Sequence, residues 1–164
     1  DQSYVYFMRK NLFDSLDIDR KNTNIENGKA ADREKECERY NALLHEMQQS
    51  VQVLGIGSNG HIAFNEPGTP FGSETHIVDL TESTIRDNSR LFSRIEDVPR
   101  QAFTMGLKNI MNAKKIVILA NGKNKAKAVY GLVKGPVTEQ LPASVLQLHP
   151  DCTVVVDEEA ASLL

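Results

Sequence analysis

His61 and Glu66 stand five residues apart in the run Leu54-Gly-Ile-Gly-Ser-Asn-Gly-His-Ile-Ala-Phe-Asn-Glu-Pro67. A histidine titrates near neutral pH and can take or give a proton, and a carboxylate beside it can fix its tautomer and raise its basicity. The spacing does not bring the two together in regular structure. On an extended strand they would be roughly 17 Å apart and on opposite faces, and on a helix about 140° apart around the axis. Contact therefore demands an irregular turn, which Asn65-Glu66-Pro67 can end. Two readings stay open at this point: a His–Glu pair for proton transfer, and a structural histidine that caps a turn. Gly55, Gly57 and Gly60 permit a tight turn and close backbone approach to a ligand. They are not the dinucleotide fingerprint, because the strand continues through the first glycine and no acidic residue some twenty positions on ends a next strand.

The remaining reactive side chains are less suggestive. His45 falls in a helical pattern and His149 precedes Pro150, so both read as structural, and no histidine has metal-ligand spacing to a partner. Cys37 and Cys152 form neither a disulfide framework nor a metal motif, and read as free thiols of a reducing cytoplasm. Asn121-Gly-Lys-Asn-Lys125 follows an apolar run and opens a helix, and a helix N-terminus favours an anion.

These residues must be held by a scaffold. Tyr4, Phe7, Met8, Leu12 and Leu16 recur at helical spacing. A second helix is expected over about 31–49, with Cys37, Tyr40, Leu43, Leu44 and Met47 inward and Asp32, Glu34, Lys35, Glu36, Glu38 and Arg39 in solvent. Strands are expected at 51–56, 115–120 and 153–156, with a short one at 76–80, and helices near 99–111 and 123–132. The alternation predicts an α/β fold, three-layer and mostly parallel, of Rossmann-like type, in which ligands bind beyond the carboxyl ends of the strands. No repeat, low-complexity tract or linker divides residues 1–164, so a single domain is expected.

Bulk properties exclude some partners. The 164 residues carry 19 basic and 22 acidic side chains, a net charge of −3, which disfavours a nucleic-acid binder working by bulk charge. The longest aliphatic run is Ile116 to Ala120, too short for a membrane helix. A single small phosphate, needing only two or three placed donors, stays compatible.

The run Gly57-Ser-Asn-Gly-His-Ile-Ala-Phe-Asn-Glu-Pro67 resembles the signature of the glucosamine-6-phosphate deaminase family, and the likeness extends from Ser3-Tyr-Val-Tyr-Phe-Met to Asp157-Glu-Glu-Ala160. The resemblance implies conversion of glucosamine 6-phosphate to fructose 6-phosphate and ammonia, without metal or organic cofactor. It gives His61 the proton transfer that opens the sugar ring and Glu66 a place in its relay. Asn59, two before the histidine, becomes a supporting residue, since an amide orients an imidazole but supplies no charge. Lys125 matches the family's phosphate-contacting lysine, and Arg90 matches the phosphate-contacting arginine of a mobile lid, here about 80–103. From the residues alone both read as solvated surface charges. Gly57 and Gly60 join the substrate loop. The expected partner is the sugar phosphate and the expected setting the cytoplasm; members differ in whether they form a homo-oligomer.

The chain also departs from the family pattern. Members carry about seventy further N-terminal residues, including the aspartate that takes the carbon-2 proton, and no residue here matches that base. The expectation is that the chain is a fragment of an active enzyme, with apolar sheet edges or faces uncovered. The alternatives are a short sugar-phosphate-binding module without turnover and, less favoured by Ile62-Ala-Phe-Asn-Glu-Pro67, a 6-phosphogluconolactonase-like hydrolase. His76-Ile-Val-Asp79 lacks Arg or Lys where allosteric members bind N-acetylglucosamine 6-phosphate, so that activation is expected to be absent or weak.

Overall fold

The computed structural model describes residues 3–164, without the side chains of Ser83, Asp87 and Asn88. Five α-helices and five strands follow in chain order: α1 (Tyr4–Asn11), α2 (Arg33–Glu46), β1 (Gln52–Gly55), β2 (His76–Asp79), α3 (Glu82–Ser89), β3 (Gln101–Thr104), α4 (Leu107–Met111), β4 (Ile116–Ala120), α5 (Ala126–Lys134) and β5 (Cys152–Val156). The three apolar runs form a parallel sheet in the order β1-β4-β5, with Gln52 opposite Ile116 and Ile116 opposite Cys152. All three strands therefore end at the same edge. This is an α/β fold with a parallel sheet and flanking helices.

Alternation along the strands decides which face is covered. Leu54, Ile116, Ile118 and Val154 point into a core with Leu107 and Ile110 of α4, Ala128 and Leu132 of α5, and Val145 and Leu146 of a 3-10 segment at Pro142–Leu148. Val53, Leu119 and Val155 point the other way and are 59%, 47% and 47% exposed.

Several boundaries differ from the sequence expectation. The first helix ends at Asn11, and a 3-10 turn at Phe13–Ser15 replaces its last turn; Leu12 leaves helical geometry at φ −137, and none of α1 is buried to hold it. In α2, Met47 is an exposed C-cap rather than an inward residue, because the helix stops at Glu46. Glu36, expected in solvent, is buried: Arg39 grips both its oxygens at 2.6 and 2.8 Å and the Asn27 N–H donates to it at 2.7 Å. A buried carboxylate needs such partners.

The largest change is at 99–111. The expected helix is a strand, β3, and a short helix, α4, joined through Met105-Gly106. β3 pairs antiparallel with β2, His76 opposite Thr104 and Asp79 opposite Gln101. Gly106 marks the break, since a side chain there would meet the Ser73 and Glu74 carbonyl oxygens at 2.2 and 2.3 Å. The segment between β2 and β3 contains α3, with Thr81 as its cap: the Thr81 hydroxyl accepts from Thr84 N–H at 3.3 Å.

Candidate active site

β1 ends at Gly55, and the chain turns back on itself directly beyond the strand's carboxyl end. The Gly57 N–H donates to His61 O at 2.9 Å, the Gly60 N–H to Gly57 O at 3.0 Å, and Ile62 bridges to Asn65. This is the irregular turn that His61 and Glu66 need. It brings His61 Nδ1 to 3.4 Å from Glu66 Oε1.

Asn59 lies between them and makes the shorter contacts. Its Oδ1 is 2.8 Å from His61 Nδ1 and accepts the His61 backbone N–H at 3.2 Å, while its Nδ2 donates to Glu66 Oε2 at 2.7 Å. Turning the amide over would face its NH2 to a backbone N–H and its oxygen to a carboxylate, so the orientation is determined by its partners. An amide oxygen only accepts. His61 Nδ1 therefore carries a proton, and in the neutral ring the lone pair lies on Nε2. Both side chains are about one-third exposed.

Two backbone features support the turn. A Cβ on Gly57 would lie 2.3 Å from the His61 ring, so the missing side chain makes room for the imidazole. Ala63 lies at φ 51, in the left-handed region, at a cost of roughly 1–2 kcal/mol for a residue with a Cβ.

The turn forms one wall of an open cleft of about 690 Å³ at the strand ends. Asn59, His61 and Glu66 line it together with Gly57, Asn124 and Lys125, so residues from the ends of β1 and β4 converge. Thr81 and Thr84 line it from α3, and Ala63 and Phe64 from the turn. The sequence reading did not single out these four; the one available signal was the Thr81-Glu-Ser-Thr84 capping pattern. Arg90 is an exposed residue just after α3 and Gly60 is buried within the turn; neither lines the cleft.

The loop after β4 departs from a simple anion-binding helix start. Both oxygens of Asp157 accept from the Gly122 N–H, at 2.9 and 3.1 Å, and Glu159 accepts from the Lys123 N–H at 3.3 Å. The Lys125 N–H donates to Gly122 O at 3.0 Å. Because β5 runs parallel beside β4, its end delivers these carboxylates onto the loop.

The other histidines are engaged elsewhere. His149 is buried, accepting from the Asp151 N–H at its Nδ1 and donating from Nε2 to Ala113 O at 2.8 Å. His45 pairs with Glu74 at 3.2 Å, which Lys108 also holds at 2.7 Å. Among the described residues no group of three or more His, Cys, Asp or Glu side chains is arranged to hold a metal ion.

Known proteins are similar to this chain in sequence and in fold. The sequence profile of the family described as glucosamine-6-phosphate isomerases/6-phosphogluconolactonase matches residues 1–155. A glucosamine-6-phosphate deaminase from Lactobacillus johnsonii is 58% identical over 164 residues, all of this chain and 68% of its own length. One from Streptococcus gordonii is 58% identical over 163 residues, again 68% of its length. The solved structure of a monomeric glucosamine-6-phosphate deaminase superposes with a TM-score of 0.93 at 47% identity, over 99% of this chain and 68% of that one. A 6-phosphogluconolactonase from Thermotoga maritima, at 22% identity and a TM-score of 0.69, shares the fold.

Proposed function

The chain belongs to the glucosamine-6-phosphate isomerase/6-phosphogluconolactonase family, and from that premise we propose that its cleft takes glucosamine 6-phosphate and serves its conversion to fructose 6-phosphate and ammonia. The observation that carries this is the Asn59 bridge, which holds His61 in the cleft beside Glu66 with its Nδ1 hydrogen bonded to the Asn59 amide oxygen. The Nε2 of His61 takes the proton of the carbon-1 hydroxyl and returns it to the ring oxygen as the bond from carbon 1 to that oxygen breaks and the ring opens to the aldehyde. A proton then moves from carbon 2 to carbon 1 through an enolamine. Water adds to the resulting imine and ammonia leaves. Ring opening, the two proton transfers, addition of water and loss of ammonia involve no redox change, so the proposed route is written without a metal or organic cofactor. His61, Glu66 and Lys125 are the titratable residues among the cleft's described lining.

Lys125, with Asn124 beside it, is the proposed phosphate contact. Gly57 and Gly60 shape the loop against which the sugar lies. The segment 80–103 is read as a lid that carries Arg90 to the phosphate and excludes water on closing. A role in amino-sugar catabolism and a cytoplasmic setting belong to the same reading; the two cysteines are unpaired thiols.

The test is ammonia release from glucosamine 6-phosphate, measured on this chain and on the chain joined to the part of the Lactobacillus johnsonii relative that it does not span. His61→Gln is expected to lower kcat by roughly 10²- to 10⁴-fold. Lys125→Ala is expected to raise KM by about tenfold or more, the worth of a charge-assisted hydrogen bond. Release that is indifferent to His61→Gln, or opening of 6-phosphogluconolactone with no ammonia from the amino sugar, would refute the proposal.

A further inference from the structure

The turn from Gly57 to Glu66 must hold three side chains at fixed separations; its backbone bonds run from Gly57 to His61, from Gly60 to Gly57 and between Ile62 and Asn65, and Ala63 in its middle is strained. Attachment from outside adds to these bonds beyond His61. The Phe64 N–H donates to Thr104 Oγ1 at 3.1 Å, and that hydroxyl donates onward to Met105 O at 3.3 Å. Asn65 Nδ2 donates to Ile62 O at 3.0 Å and to Met105 O at 2.9 Å. Thr104 is 3% exposed, Asn65 is fully buried, and neither lines the cleft.

Asn65 is informative for what it lacks. Its Oδ1 is buried with no hydrogen-bond partner among the described residues, a costly state for a polar atom. The amide cannot turn over to relieve it, because the oxygen would then face two carbonyl oxygens. An apolar side chain would avoid the orphan oxygen but would release both carbonyls. The side chain is explained by its two donors, which clamp the turn to the junction of β3 and α4.

We propose that Thr104 and Asn65 are positioning residues that hold the turn so that Asn59 and Glu66 meet the His61 ring. The inference rests on the reading of His61 as the proton-transfer group, but its test does not use turnover. His61 ring nitrogens are followed by long-range proton–nitrogen NMR in the labelled chain, with His61→Gln to assign them. The unaltered chain is expected to show the tautomer protonated at Nδ1. Thr104→Val keeps the shape of the side chain and loses the hydroxyl. It is expected to move the His61 nitrogen shifts toward a mixture of tautomers, to leave His45 and His149 unchanged, and to be reversed in Thr104→Ser. Unchanged His61 shifts in a folded Thr104→Val chain, or equal changes at His45 and His149, would overturn the proposal. Should Thr104→Val not fold, amide exchange in the unaltered chain decides. Phe64 should exchange as slowly as the β2–β3 ladder, and exchange as fast as an open loop would overturn the proposal.

Discussion

Gly57 and Gly60 lie three residues apart in one turn, yet they answer to different demands. At Gly57 the backbone is ordinary and the space is taken by the His61 ring. Gly57→Ala should therefore leave stability within about 1 kcal/mol, since a ring one-third exposed at the cleft can swing aside, while breaking the His61–Asn59 contact and lowering kcat by about 10²-fold or more. At Gly60, φ is +86 and a Cβ would meet Leu141 Cγ at 2.6 Å. Gly60→Ala should instead cost about 2 kcal/mol or more of folding stability, read by urea denaturation. A pair of variants giving the reverse pattern would contradict this account of the turn. Residue types announced the chemistry: His61 and Glu66 could be named as a candidate proton-transfer pair before any contact was known. The spacing left their meeting open, because it depends on a turn whose shape is imposed partly by Thr104 and Met105, some forty positions away.

At the level of elements, local pattern was legible where partners are local or the strand is wholly apolar. β1, β4 and β5 fall within one residue of expectation at each end, with Val51 and Ile56 left flanking β1. The stretch 99–111 was misread because β3 pairs with β2, about twenty-five residues earlier, and nothing near 101–104 signals that partner. Glu36 on α2 was misread for a related reason, since its Asn27 N–H partner lies on the preceding loop. That loop and helix carry an opposed pair of carboxyl groups. Hydrogen bonding to Arg39 holds Glu36 below the usual carboxyl range, whereas burial holds Glu26 above it, helped by the Glu36 charge. The stability due to Glu36 is present above the ordinary carboxyl range and is lost as pH falls through its lowered value. The contribution from protonated Glu26 has the opposite sense: it is full at acid pH and is lost as pH rises through its raised value. Glu26→Gln, which copies the protonated form, should stabilise the chain at pH 7 and make little difference near pH 4. Glu36→Gln should cost about 1 kcal/mol at pH 7, with the loss fading on acidification. Thermal denaturation at the two pH values checks both, and equal shifts at both would count against the assignment.

Across the whole molecule, the parallel sheet is covered on one face and bears Val53, Leu119 and Val155 on the other. Parallel sheets are ordinarily covered on both faces, and α1 adds exposed Tyr4 and Phe7 to the apolar surface. The uncovered face was among the sequence expectations. This chain on its own should bind an environment-sensitive apolar dye, and Leu119→Thr with Val155→Thr should reduce that signal without lowering Tm by more than a few degrees. Dye binding untouched by the pair would locate the apolar surface elsewhere. A final consequence comes from Asp157 and Glu159, which already occupy the amides of Gly122 and Lys123. An anion at this end of the sheet would be held by the ammonium group of Lys125 on its rotatable stem rather than by a rigid array of backbone donors. Such a contact is screened by mobile ions, with a reach of about 8 Å at physiological ionic strength, and it discriminates poorly among anion shapes. Affinity for the phosphate end should then fall as potassium chloride is raised, while selectivity between sugars is left to the histidine side of the cleft.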